Sequence, residues 1–301
     1  MSGQRVTVIG AGTMGHGIAY AAALAGDHVT LTDAQPQALA RANDKLTALL
    51  AGGVKRGKLS DADAAATTAR LRFEPDLRAA ADGAEVVIEA VVEEIQVKQR
   101  VLREVEAFVP GRTLIATNTS SLSIADLATA LRQPGRFVGM HFFNPVHIMK
   151  LVEVVTHPKA SPEAVERAVA VARRLGKEPI VVGDSPGFAS SRLGVVLGLE
   201  AMRMLEQHVA SAEDIDKAME LGYNHPMGPL KLTDLVGLDV RLAIAEYLHR
   251  TLGQPQYAPP RILRDKVAKG ELGKKTGKGF YSWSDWPTSP TSTSTSSHGG
   301  T

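Results

Sequence analysis

The chain has 301 residues, 44% of them hydrophobic and 22% charged, which is apolar material for a sizeable core and length for two domains of about 150 residues. This mixture excludes a chain disordered throughout, and no apolar run approaches the roughly 18 residues that a spanning helix needs, which excludes a helical membrane protein. No cysteine is present, so disulfides, thiolate metal sites and a cysteine nucleophile are excluded; the composition fits a reducing, cytoplasmic compartment, and a net charge of +2 gives no argument for nucleic acid.

In chain order, Met1-Ser2-Gly3-Gln4-Arg5 leads straight into an apolar run at 6–9, too short for the core of a secretory signal. Further strands are predicted at 28–32, 71–73, 85–89, 113–116, 137–142, 151–155 and 179–182. Several are apolar without alternation, as strands covered on both faces are. Helical patterns fill the gaps at 14–24, 36–56, 94–108 and 162–175, and Pro36 and Pro162 suit a first helical turn. Such alternation predicts an α/β fold with a doubly wound, mostly parallel sheet.

The character changes at Asp184-Ser185-Pro186-Gly187. Beyond it no strand is predicted, only helices at 188–207, 212–220, 230–251 and 259–269. The expected division is therefore 1–184 for the α/β domain, 185–286 for an all-α domain and 287–301 for a tail. In the first of these helices Leu193, Val195, Val196, Leu197, Leu199 and Met202 cover more than one face, as in a buried helix, partly against a second subunit. The last 15 residues contain ten Ser or Thr, natural or a cloning remnant, and are expected to be disordered.

The first strand runs into Gly10-Ala11-Gly12-Thr13-Met14-Gly15 and a helical pattern follows. A lone glycine fingerprint is weak evidence, but here strand and helix flank it correctly. Gly10 would make the tight turn, Gly12 would let backbone approach a pyrophosphate, and Gly15 would let helix pack on strand. The helix start offers free N–H groups to the phosphates. Asp33 ends the second strand, about where an acid accepts from a ribose 2′-hydroxyl, and its carboxylate would repel a 2′-phosphate. NAD is thus preferred over NADP, although Asp33 as a helix cap and the turn as an FAD site remain alternatives.

Lys55, Arg56 and Lys58 form the densest basic cluster, either solvated surface or a hold for a phosphate-bearing substrate. Asn118 and Ser120 follow a predicted strand, where an open parallel sheet binds ligands, or else they serve a helix cap. His141 and Glu153 lie in successive strands that could set them facing each other. A carboxylate beside an imidazole raises its basicity and fixes its tautomer, as hydroxyl oxidation requires. A structural His–Glu hydrogen bond is the alternative. No ligand set for a metal surrounds His141 and His147, and His16, His28, His157, His208, His225, His249 and His298 read as incidental.

Seven ordered stretches together resemble the L-3-hydroxyacyl-CoA dehydrogenase family, over nearly everything but the tail. They are the turn from Gly10 to Gly15, Asn118-Thr119-Ser120-Ser121-Leu122, His141-Phe142-Phe143-Asn144-Pro145, Lys150-Leu151-Val152-Glu153-Val154, Pro186-Gly187-Phe188, His225-Pro226-Met227-Gly228-Pro229, and the segment from Gly273 to Tyr281. The resemblance implies a Rossmann-like N-terminal domain, a helical C-terminal domain that forms a homodimer, NAD as cofactor and a 3-hydroxyacyl thioester of coenzyme A as substrate. It implies His141 as general base, oriented by Glu153. Ser120 and Asn144 would contact substrate and nicotinamide, Glu93, Lys98 and Lys275 would touch NAD, and Lys55 and Arg56 would lie near the coenzyme A phosphates. One departure concerns the substrate: Ser191 stands where the family commonly has an asparagine, and its shorter reach bears on acyl-chain preference. Relatives of this fold that oxidise free hydroxy acids, or that bind NAD without catalysis, are the alternatives.

Overall fold

The computed structural model describes residues 3–283. The expected tail, 287–301, lies outside the described residues. The chain divides into two compact units that meet in sequence between Ala189 and Ser190.

The first unit runs β1 (Arg5–Ile9), α1 (Thr13–Leu24), β2 (His28–Thr32), α2 (Pro36–Lys55), α3 (Asp61–Ala69), β3 (Leu71–Phe73), α4 (Leu77–Ala81), β4 (Val86–Glu89), α5 (Ile95–Phe108), β5 (Leu114–Thr117), α6 (Ile124–Ala128), β6 (Phe137–Phe142), β7 (Leu151–Thr156), α7 (Pro162–Arg174) and β8 (Glu178–Gly183). The strands form one sheet in the order β3-β2-β1-β4-β5-β6-β7-β8. All neighbours are parallel except β6 and β7, which run antiparallel with His141 directly opposite Glu153.

Two apolar layers hold this sheet, because successive side chains of a strand point to opposite faces. Val6, Val8, Leu31, Val86, Ile88, Met140 and Val154 pack with α1, α2 and α7 on one face. Ile9, Val87, Ile115, Phe137 and Val155 pack with α5 and α6 on the other. The strand order reverses between β1 and β4, and the crevice beyond the carboxyl ends of those strands is where a doubly wound sheet takes a ligand.

The second unit contains α8 (Ser190–Glu206), α9 (Ala212–Gly222), α10 (Pro229–Val236), α11 (Leu238–Leu252) and α12 (Arg261–Ala268) around Leu199, Met202, Ile215, Leu230, Leu238, Leu248 and Leu263. Among its described residues only isolated bridges near Lys278 replace strands.

The structure departs from the expected elements most clearly at the following places. The single helix at 230–251 is two, because Gly237 adopts φ +103°, outside the helical range, and separates α10 from α11. The long helix starts at Ser190, two residues later than expected, after Phe188 has turned into a left-handed conformation at φ +46°. The short helices α3, α4 and α6 had no predicted counterpart: they are too short to show a helical period, and they are set by caps, with Ser60, Asp76 and Ser123 accepting from backbone N–H groups three residues on.

Candidate active site

The glycine turn closes as its spacing requires. Gly10 sits at φ +101°, and a Cβ there would lie 2.5 Å from the carbonyl oxygen of Ala90. A Cβ on Gly15 would lie 1.7 Å from the oxygen of Gly10, so α1 can approach the turn only without one. Gly12 is the opposite case: a Cβ would meet nothing within 4 Å, and the backbone faces open room. Gly12 is also the N-cap of α1 and supplies no side chain to the first-turn N–H groups, so Thr13 and Met14 open a helix whose start is free to meet an anion.

Asp33 ties into this turn. One carboxylate oxygen accepts from the N–H of Ala11 at 2.8 Å, the other from Gln35 at 2.8 Å. It is not the cap of α2, whose N-cap is Gln35. A cleft of about 540 Å³ opens here, lined by Gly10, Gly12, Asp33, Ala38, Val91 and Val97 among others.

At the carboxyl ends of β4 and β5 a buried network holds the next group. Glu89 is fully buried and accepts from Lys98 Nζ at 2.8 Å, from the Val91 N–H at 2.7 Å and from Thr117 Oγ1 at 2.6 Å. Lys98, only 1% exposed, also reaches Glu93 at 3.3 Å. Glu93 Oε1 in turn accepts from Thr119 Oγ1 at 2.6 Å, from the Ser120 N–H at 2.8 Å and from Ser120 Oγ at 3.2 Å. Burial works against the charge of Glu93, but Lys98 and the hydrogen bonds from Thr119 and Ser120 outweigh it and hold this carboxyl below its ordinary range. Ser120 is thereby fixed at the sheet edge. Asn118 accepts from the Phe142 N–H at 2.9 Å, which joins the end of β5 to that of β6.

The histidine and the carboxylate meet. His141 Nδ1 donates to Glu153 Oε2 at 2.8 Å, with the glutamate fully buried and Glu153 Oε1 accepting from the Ala189 N–H at 3.1 Å. The rings of Phe143 and Phe188 lie 4.4 and 5.9 Å from the imidazole centre. With Nδ1 committed as a donor, Nε2 carries the lone pair, which is the tautomer a general base needs.

Asn144 is exposed in the segment after β6 and lines a second hollow together with Arg56. Lys177 steadies that segment from below: its buried ammonium donates to the carbonyls of Val146 and Met149, the latter at 2.9 Å, and burial lowers its pKa. Lys55 is exposed at the end of α2 and does not line the hollow. Ser191 lies in the first turn of α8, and Lys275 pairs with Asp239 at 2.6 Å; both belong to the helical unit. Among the described residues no cluster of three or more His, Cys, Asp or Glu is arranged to hold a metal ion. Glu89 and Lys177 were not anticipated. A glutamate closing the wholly apolar run of β4 was the available signal for the first; the second left none, since its acceptors are backbone carbonyls.

Residues 5–185 match the model of the 3-hydroxyacyl-CoA dehydrogenase NAD binding domain, and residues 187–283 match that of the 3-hydroxyacyl-CoA dehydrogenase C-terminal domain. The chain belongs to the 3-hydroxyacyl-CoA dehydrogenase family. A probable 3-hydroxybutyryl-CoA dehydrogenase of Bacillus subtilis is 40% identical over 94% of this chain and 98% of its own. Another of Deinococcus radiodurans is 42% identical over 92% and 99%. The crystal structure of the (S)-3-hydroxybutyryl-CoA dehydrogenase of Ralstonia eutropha superposes with a TM-score of 0.89 at 39% identity, covering 94% of this chain and 99% of that one.

The cofactor of this 3-hydroxyacyl-CoA dehydrogenase family member is NAD, and the residues present fit it. The open backbone at Gly12 admits a pyrophosphate, and the cleft beside the glycine turn has room for an adenosine. Asp33 stands at the edge of that cleft, and each of its oxygens retains a lone pair for a ribose hydroxyl.

Proposed function

We propose that this chain catalyses the reversible NAD-dependent oxidation of (S)-3-hydroxyacyl-CoA, of short chain such as 3-hydroxybutyryl-CoA, to 3-oxoacyl-CoA, in fatty acid metabolism and β-oxidation. The observation that carries the reading is the 2.8 Å hydrogen bond from His141 to the buried Glu153, in a chain matched from end to end of its described part by one dehydrogenase family.

Gly10, Ala11, Gly12, Thr13, Met14, Gly15 and Asp33 would hold the dinucleotide, with Glu93, Lys98, Ser120, Asn144 and Lys275 as its further contacts. When bound, NAD⁺ supplies the hydride acceptor. His141 Nε2 takes the proton of the 3-hydroxyl, and Glu153 stabilises the imidazolium that results. In reduction the protonated ring returns that proton to the oxygen at carbon 3. Ser120 and Asn144 hold that oxygen where charge develops, Ser120 being pre-set by Glu93. The apolar walls of Phe143 and Phe188 keep water from the ring. Lys55, Arg56 and Ser191 are the residues of this chain set aside for the acyl-CoA.

Two finer readings accompany this one. The helical unit exposes Leu193, Leu197, Leu232, Leu235, Val236 and Val240, apolar surface that supports a homodimer. The absence of cysteine supports a cytoplasmic enzyme, and among the described residues no helix is long and apolar enough to cross a membrane.

The test is reduction of acetoacetyl-CoA by the purified protein, followed as loss of NADH. Turnover with the thioester and none with free acetoacetate supports the reading. Turnover with the free acid alone refutes it.

A further inference from the structure

Asp184 directly follows β8 and has no part in the chemistry described so far, yet its carboxylate joins two segments on which that chemistry depends. Its own backbone is fixed first: the N–H donates to the Thr156 carbonyl at 2.8 Å and extends the pairing of β7 with β8. Oδ2 then accepts from Ser123 Oγ at 3.0 Å and from the Ala125 N–H at 2.8 Å. These donors open α6, whose N-cap is Ser123, and Ser123 Oγ in turn accepts from the Asp126 N–H at 3.1 Å. A helix start leaves such N–H groups without intrahelical partners, and an acceptor brought from elsewhere in the fold decides where that start lies.

The first segment so held carries Ser120, which stands three residues before Ser123. Glu93 grips Ser120 itself, and Asp184 grips the far end of the same loop. Ile124, between the two donors, is seated on β6: a Cβ on Gly139 would lie 3.0 Å from Ile124 Cδ1. His141 follows Gly139 by two residues and so shares that face of the strand. The start of α6 therefore lies alongside the histidine.

The second segment begins at Asp184. The Phe188 N–H donates to the Ser185 carbonyl at 2.9 Å, and this turn sets the Phe188 ring 5.9 Å from the imidazole and brings the Ala189 N–H to Glu153 Oε1 at 3.1 Å. One segment thus presents a hydroxyl to the substrate, and the other steadies the base and its carboxylate. The bonds from Asp184 to Ser123 and Ala125 tie the two together.

We propose that Asp184 is a positioning residue: by binding Ser123 and Ala125 it locks the Ser120 loop to the segment that carries Phe188 and Ala189, and so fixes Ser120 relative to the His141–Glu153 pair. The place of one oxygen does this, not the charge. Both bonds go to Oδ2, and among the described residues nothing donates to Oδ1. Asp184 forms no ion pair among the described residues either, and His157, whose imidazole feels its charge, bonds to the Phe137 carbonyl at 3.0 Å instead. A carboxamide can accordingly offer its oxygen to the same two donors and leave its amino group where Oδ1 stands. The inference rests on the function proposed above for the reaction that Ser120 serves.

Turnover of acetoacetyl-CoA by Asp184→Ala, Asp184→Glu and Asp184→Asn tests the proposal, with hydrogen–deuterium exchange followed at the Ser120 and Ala189 amides. Asp184→Ala removes the oxygen. Asp184→Glu keeps the charge but carries it one methylene further, and Asp184→Asn keeps the oxygen in place without the charge. A kcat about tenfold lower is expected in Asp184→Ala and Asp184→Glu, because a small misplacement of a positioned group is costly. The KM for NADH should stay as in wild type, since the glycine turn lies on other strands, and Asp184→Asn should restore kcat. Exchange at both amides should be faster in Asp184→Ala and Asp184→Glu than in Asp184→Asn. If Asp184→Ala does not fold, the contrast between Asp184→Glu and Asp184→Asn makes the same decision. Near-normal kcat in all the variants, equal losses in Asp184→Asn and Asp184→Glu, or rescue by Asp184→Glu and not by Asp184→Asn overturns the proposal. Exchange is read without substrate. A wild type that does not reduce acetoacetyl-CoA, with exchange faster as expected, refutes the function and leaves the clamp standing; an active wild type with unchanged exchange in the variants refutes the clamp and leaves the function.

Discussion

Glu89 shows what a single side chain does for this site. It is fully buried, it receives three hydrogen bonds, and through Lys98 and Glu93 it governs where Ser120 stands. Such a pair is worth little against an apolar replacement of both partners, but removing one member leaves the other charge buried. Glu89→Gln is therefore expected to cost roughly 3 kcal/mol in urea unfolding, and adding Lys98→Met to recover part of the loss. An additive double variant would contradict the pairing. At this scale the sequence was legible where chemistry is local: the glycine turn, Asp33 beyond the second strand, and two strands placing His141 near Glu153. Glu93 and Lys98 were legible only through family resemblance. His16 reads as incidental and His147 only as a neighbour of His141 with no metal ligand set around it, because nothing in their spacing shows that α1, α2 and the segment after β6 converge on one hollow.

Among the elements, most ranges in the first unit agree with the expected strands and helices to within one or two residues, since an unbroken apolar run and a proline in a first turn are strong local signals. The break between α10 and α11 was not legible: the apolar pattern continues through Gly237, and only tertiary structure turns that residue out of the helix. Asp216 is the fastening that locates α10. Its carboxylate accepts from the N–H groups of Leu230 and Lys231, each at 2.9 Å, and from the Tyr281 hydroxyl at 2.7 Å. The bond to Asp216 and its charge add to burial in raising the Tyr281 pKa, so the phenol remains a donor. Asp216→Ala would leave these donors without a partner and is expected to lower stability by about 3 kcal/mol or more. An unchanged urea midpoint would show that α10 is held by its apolar face alone.

For the molecule as a whole, the chain joins an α/β unit that carries the glycine turn, the acid and the histidine to a helical unit that exposes several large apolar side chains. Leu193 is 67% exposed at the start of α8. A homodimer is expected in sedimentation at micromolar concentration, and Leu193→Glu is expected to shift it toward monomer; a monomeric wild type would contradict the dimer. The claim on which the account turns is that the Nε2 of one imidazole, set by a buried carboxylate, moves the proton of the substrate alcohol. Its most direct test is turnover of acetoacetyl-CoA by His141→Gln, with NADH binding checked by fluorescence. Intact NADH binding and a kcat lower by about two to four decades are expected. Near-normal turnover in that variant would contradict the claim.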